Sequence, residues 1–132
     1  MKTVAASGYF DPLHVGHIEY LEKAAGLGDR LIVIVNNDYQ AAAKKGKSFM
    51  SISDRMKIVR ALKCVDEAYL SIDLDASVCK SLRDIKPDIF AKGGDRFTSE
   101  IPELAVCIDL GILIIDGLGT KIRSSSDFTG IK

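Results

Sequence analysis

His14 and His17 are the two histidines of the 132-residue sequence, and they stand three positions apart where a strand-like run gives way to a helix-spaced one. The run is Gly8-Tyr9-Phe10-Asp11-Pro12-Leu13-His14-Val15-Gly16-His17, followed by Ile18, Leu21, Ala24 and Ala25 on one helical face and Glu19, Glu22 and Lys23 on the other. Side chains at i and i+3 project from the same side of a helix's first turn. Backbone N–H groups there lack intrahelical partners, and the helix dipole favours an anion, so a phosphate chain suits the position. Gly16, between the histidines, carries no side chain to block a bulky ligand. Imidazoles can hydrogen-bond phosphate oxygens as negative charge builds on them, which is electrostatic stabilisation of a transition state and not proton transfer. A surface face, a satisfied core pair or two metal ligands also fit two histidines at this spacing. Metal ligation is the weakest of these, because helical zinc motifs use i, i+4 spacing and the sequence has no third histidine.

The elements that must position these residues follow from the alternation of short β-branched runs with helix-period stretches. Strands are predicted at Thr3 to Ser7, closed by Gly8, and at Leu31 to Val35, Ala68 to Ser71, Ile89 to Ala91 and Ile112 to Ile115. Helices are predicted from His14 to Gly26, from the Ser51 and Asp54 capping pair with Ile52, Met56, Val59, Leu62 and Cys64 inward, from Val78 to Ile85, and from Pro102 to Leu110. A last short helix is expected over Ser124 to Ile131, and the polar stretch Asn37 to Lys47 reads as a mobile flap. Together these give an α/β fold: a Rossmann-like, doubly wound, five-stranded parallel sheet of order 3-2-1-4-5 with helices on both faces. In that order the first and fourth strands are neighbours at the topological switch point, where ligands bind beyond the carboxyl ends. The loops Gly8 to His17 and Lys92-Gly93-Gly94-Asp95 follow those two strands and line one crevice. Gly93 and Gly94 either allow close backbone approach there or simply end the strand in a turn.

Composition bounds the rest. The length fits a single domain over residues 1–132, able to stabilise itself without disulfides. With 18 Lys+Arg against 18 Asp+Glu the broad cationic field of a nucleic-acid binder is missing, so no nucleic-acid partner is expected. No apolar run approaches the length of a membrane span, which points to a chain without membrane association in the cytoplasm. Cys64, Cys79 and Cys107 match neither a zinc spacing nor a disulfide framework and read as free, small apolar side chains.

The constellation of strand, glycine, Asp-Pro turn, His-x-Gly-His and helix resembles the cytidylyltransferase-like superfamily of nucleotidyltransferases, most closely its heptose-1-phosphate adenylyltransferase and glycerol-3-phosphate cytidylyltransferase groups. The likeness extends through Leu27-Gly28-Asp29, Asn36-Asn37-Asp38, Arg55, Val65-Asp66, Lys92-Gly93-Gly94-Asp95 and the run Ser124-Ser125-Ser126. It implies in-line attack by a phosphate oxygen of a small sugar or polyol phosphate on the α-phosphorus of ATP or CTP, with release of pyrophosphate and the help of Mg²⁺. No metal ligand is assigned, and a homodimer is implied.

By the same resemblance His14 and His17 contact the phosphates, and Gly8, Tyr9 and Phe10 offer backbone contacts to the nucleotide. Lys44, the best aligned of Lys44, Lys45 and Lys47, reaches the phosphates; a solvated basic loop is its alternative. Arg55 binds the acceptor's phosphate or pairs on a helix surface. Asp11 is either an acid near substrate or metal or the cap of an Asp-Pro turn. Lys92, Gly94 and Asp95 face the nucleotide, and Ser124, Ser125 and Ser126 hold the β- and γ-phosphates, with Arg123 beside them. Two departures stand out. Tyr9 replaces a small residue, and Gly119-Thr120-Lys121-Ile122 replaces the Arg-Thr-Glu-Gly of the cytidylyl branch, which favours ATP over CTP. Rival readings are an inactive nucleotide-binding sensor of the same fold and a receiver-like signalling domain phosphorylated on Asp11.

Overall fold

The computed structural model describes residues 1–93 and 102–118. Its strands are β1 (Thr3–Gly8), β2 (Arg30–Val35), β3 (Glu67–Leu70), β4 (Ile89–Gly93) and β5 (Leu113–Leu118), and its helices α1 (Val15–Ala25), α2 (Asp38–Lys45), α3 (Ile52–Arg60), α4 (Cys79–Ile85) and α5 (Leu104–Leu110). All strand pairs are parallel, in the order β3-β2-β1-β4-β5. The expected wiring is therefore observed.

Alternation along the central strands decides which helices cover which face. Val4 and Ala6 of β1 join Leu31, Val33 and Val35 of β2 in one core, closed by Leu21 and Ala24 of α1 and Val59 of α3. Ala5 and Ile34 point to the other core, closed by Leu82 of α4 with Val106 and Cys107 of α5. Gly28 is required where α1 turns into β2, because a Cβ there would lie 2.8 Å from the Lys2 carbonyl and from Val4 Cγ2.

The stretch expected to be a flap is instead α2. Asn37 caps it by accepting from the Gln40 N–H at 2.8 Å, and Gln40 Oε1 accepts from the Asn37 N–H at 3.0 Å, a reciprocal capping box. The same two amides tie the helix to the β3–α4 connection. Asn37 Nδ2 donates to the carbonyls of Ser71 and Asp73, and Gln40 Nε2 to those of Asp75 and Ser77. Gln40 is buried beside Ala41. A polar helix is fixed here because every buried amide is partnered, which makes its burial affordable without apolar anchors. Further along, Asp73 closes the start of α4 by accepting from the Lys80 and Ser81 N–H groups.

Candidate active site

β1, β2 and β4 end at the same edge of the sheet, and the loop from Tyr9 to His14 leaves β1 there. It contains a cis Asp11–Pro12 peptide. Phe10 adopts φ 52° and folds its buried ring back over β1; a Cβ on Gly8 would come within 2.7 Å of that ring. Gly8 is thus needed by Phe10, whatever backbone contact it offers a ligand. The ring of Phe10 then meets that of His17 edge-on, with centroids 5.0 Å apart.

His14 and His17 close the first turn of α1. His14 is its N-cap, with Nδ1 accepting from the Gly16 N–H at 3.1 Å, and His17 Nδ1 accepts from the His14 N–H at 3.1 Å. With Nδ1 an acceptor in both rings, the proton of each neutral imidazole sits on Nε2. The rings stack, 3.8 Å between centroids and 29° between planes. The pair is a capping box and a donor pair at once, a structural duty that the spacing alone did not reveal.

Asp11 and Arg55 are placed differently from the expectation that they meet substrate. Asp11 is buried, and its two carboxylate oxygens accept from the Phe49 and Met50 N–H groups at 2.8 and 2.6 Å. Arg55 is 0% exposed. Its guanidinium donates to the carbonyls of Tyr9 (2.9 Å), Asn36 (2.6 Å) and Met50 (3.1 Å) and to the Asp38 carboxylate (2.6 Å). Four of its five N–H groups are therefore engaged inside the chain. This fork joins the loops after β1 and β2 to the α2–α3 connection instead of offering itself to a phosphate. Asp38, whose other oxygen accepts from the Ile52 N–H, completes the knot. From the sequence Asn37 and Asp38 stood out only within the Asn36-Asn37-Asp38 likeness and Gln40 not at all, although Asn37-x-x-Gln40 carries the capping-box signature.

Lys44 lies against Tyr9. Its ammonium lies 4.4 Å from the centroid of the Tyr9 ring, so α2 brings a cation against the loop that leads to the histidines. Burial pushes the Tyr9 phenol up, and the Arg55 charge offsets part of that shift. On the far side, Lys92 near the end of β4 lies 5.3 Å from the Phe90 centroid. Gly94, Asp95, Arg123, Ser124, Ser125 and Ser126, with the expected last helix, lie outside the described residues. Among the described residues no three His, Cys, Asp or Glu side chains are grouped to hold a metal ion, and no helix is long and apolar enough to cross a membrane. The three cysteines are unpaired.

Residues 5–115 match the family model described as cytidylyltransferase-like. The chain belongs to that family. Within it, the chain is 34% identical over 132 residues to an FAD synthase from Methanocorpusculum labreanum, covering 96% of this chain and 91% of that protein. It is 39% identical over 110 residues to the bifunctional protein HldE of Streptomyces coelicolor, covering 82% of this chain and 23% of the relative. A second FAD synthase, from Ferroglobus placidus, is 43% identical over 100 residues, which are 76% of this chain and 64% of that one. The chain thus spans about a quarter of HldE and just under two-thirds of the Ferroglobus protein. Among solved structures, the lipopolysaccharide core biosynthesis protein of Thermoplasma volcanium aligns with a TM-score of 0.75 at 30% identity, covering 90% of this chain and 98% of that one. The cytidylyltransferase-like match takes in β1 from Ala5 onward, the histidine turn, α2 and Arg55 in one continuous segment.

Proposed function

We propose that this member of the cytidylyltransferase-like family transfers AMP from ATP, or CMP from CTP, to the phosphate of a small phosphorylated acceptor. The observation that carries the reading is the stacked histidine pair, each ring fixed through Nδ1 at the start of α1, at the carboxyl edge of the sheet. An acceptor phosphate oxygen attacks the α-phosphorus in line, the bond from that phosphorus to the bridging oxygen breaks, and pyrophosphate leaves with the electron pair. No side chain of the protein forms a covalent bond. Catalysis is positioning plus charge neutralisation.

In this reading His14 and His17 donate through Nε2 to phosphate oxygens, where charge grows as the leaving bond lengthens. Lys44 moves from the Tyr9 ring to the phosphates, a step its flexible stem allows. Gly8, Tyr9, Phe10 and Gly16 provide the close backbone surface. Lys92, Gly94 and Asp95 hold the nucleoside side, and Ser124, Ser125 and Ser126 hold the β- and γ-phosphates. Asp11 and Arg55 act on substrate only through the loops they fix. Among the described residues no three His, Cys, Asp or Glu side chains are grouped as a metal site, and a Mg²⁺ ion belongs to the reaction as part of the nucleoside triphosphate complex.

ATP is favoured by the resemblance of the Lys92-Gly93-Gly94-Asp95 sequence to adenylyl enzymes. FAD synthase, by name, makes a flavin mononucleotide joined to AMP through a pyrophosphate bridge, the kind of product this chemistry yields. A sugar or polyol phosphate remains the first acceptor class to try, and a flavin mononucleotide the second. A homodimer in the cytoplasm belongs to the same reading.

The test is pyrophosphate release with ATP and with CTP across sugar phosphates, glycerol phosphate and flavin mononucleotide. His17→Ala is expected to lower turnover about 10²–10³-fold, the effect of losing one transition-state donor. Turnover equal to wild type in that variant overturns the mechanism, and tight nucleotide binding with no pyrophosphate from any acceptor replaces it with a nucleotide sensor.

A further inference from the structure

β1 is held unequally along its two edges. Toward β2 it is paired from Thr3↔Arg30 through Gly8↔Val35, whereas toward β4 the pairs are Val4↔Ile89 and Ala5↔Phe90. β4 itself continues, pairing with β5 as far as Gly93↔Leu118 across a register shift after Ala91. The two central strands therefore part before the loop that carries His14 and before the end of β4 that carries Lys92. Where they part, backbone groups facing the gap need other partners. Tyr20, from the second turn of α1, supplies them. Its hydroxyl accepts from the Ser7 N–H at 3.3 Å and donates to the Ala91 carbonyl at 2.6 Å. The ring packs in the core beneath the gap, and burial pushes the phenol up, so it keeps the proton it donates.

We propose that Tyr20 is a positioning residue: its hydroxyl is a crosspiece at the floor of the crevice that fixes the spacing between the β1 loop and the end of β4. The proposal rests on the nucleotide reading above and assigns within it a residue that touches no reacting atom. Because α1 also carries the histidines, one short helix sets both their position and the width of the gap beside them. A nucleotide spanning the two strand ends then meets a preset distance, and the cost of adjusting it on binding is avoided.

The decisive variant is Tyr20→Phe, which keeps the ring and removes the crosspiece. ATP affinity is measured by calorimetry on the folded protein, with CTP run in parallel and His17→Ala as a control. Tyr20→Phe is expected to weaken binding of the better nucleotide about tenfold, while the circular dichroism spectrum stays that of wild type. A hydroxyl that serves the fold alone would lower the melting temperature and leave the affinity of the folded molecules unchanged, and that result overturns the proposal. A wild-type protein that binds neither nucleotide overturns the nucleotide reading and this one with it; in that case His17→Ala has nothing to weaken.

Hydrogen exchange on the unmodified chain gives a check independent of the variant's folding. The Ser7 amide, beyond the last β1–β4 pair, is expected to be protected to the level of Ala5, and fast exchange at Ser7 overturns the crosspiece. If Tyr20→Phe does not fold, this measurement decides.

Discussion

The two edges of β1 are built to different standards. On the β2 edge the ladder runs the full length of the strand, and above it Arg55 ties Tyr9, Asn36, Met50 and Asp38 together. On the β4 edge Thr3 exchanges two hydrogen bonds with Asp88 at the start, two residue pairs follow, and the hydroxyl of Tyr20 bridges the strands beyond them. One edge fixes the histidine loop to the body of the protein. The other opens toward the carboxyl end, where the proposed nucleotide would enter. Rigidity and access are thus divided between the two sides of a single strand, which is how a parallel sheet makes a crevice at the point where its strand order reverses.

Removing the Arg55 charge should disturb the well-bonded edge most. Arg55→Met leaves three carbonyls and the half-exposed Asp38 carboxylate without this donor, and denaturant unfolding is expected to report a loss of about 2–3 kcal/mol. Arg55→Lys should recover little of it, since one ammonium cannot match a fork that reaches four acceptors. A loss below 1 kcal/mol for Arg55→Met would mean that the knot does not stiffen this side. Next in size is Asn37→Ala, which removes the cap of α2 and its two bonds to residues 71 and 73. Capping alone gives about 1 kcal/mol, and faster amide exchange over residues 71–77 should accompany it. Unchanged exchange there would show that the amide tether does not couple α2 to the β3–α4 connection.

The smallest effect lies at the outer strand of the same half. The Tyr69 phenol is pushed up to about 12, by burial first and then by the Asp84 carboxylate, which accepts its hydrogen bond with 2.5 Å between the oxygens. Below about pH 10 both folded and unfolded chains keep that proton, so its contribution to stability is whole. Between pH 10 and about 12 the unfolded chain releases it first, and stability falls as the pH rises. Thermal melts of Tyr69→Phe should show a shallower decline over that interval than wild type, and identical slopes would remove Tyr69 from the account.

The strands and their order could be read from the sequence because Val4 to Ala6 and Leu31 to Val35 must be covered on both faces, a demand that leaves few wirings. The histidine turn was equally plain, since a strand, a glycine and an Asp-Pro pair frame it. α2 was not, because hydrophobic periodicity is blind to a helix held by amides: Gln40 and Asn37 read as solvated until their four carbonyl partners from the β3–α4 connection are known. Arg55 and Asp11 were hidden for a related reason. A charged side chain looks the same in sequence whether it meets a ligand or the backbone of its own loops. Tyr20 went unnoticed because an aromatic at a core-facing helical position explains itself by packing, and nothing in its spacing discloses a gap between two strands.

Asparagine, serine or aspartate would start α1 at least as well as histidine, for these are the residues that helices favour at that position. Glutamine at the third helical position would return the reciprocal bond, as Gln40 does for α2. A chain under no demand but to begin this helix would have simpler side chains available at both places. The imidazoles at 14 and 17 exceed what a helix start asks for, and the surplus is a second ring nitrogen that carries a proton while the first serves the turn.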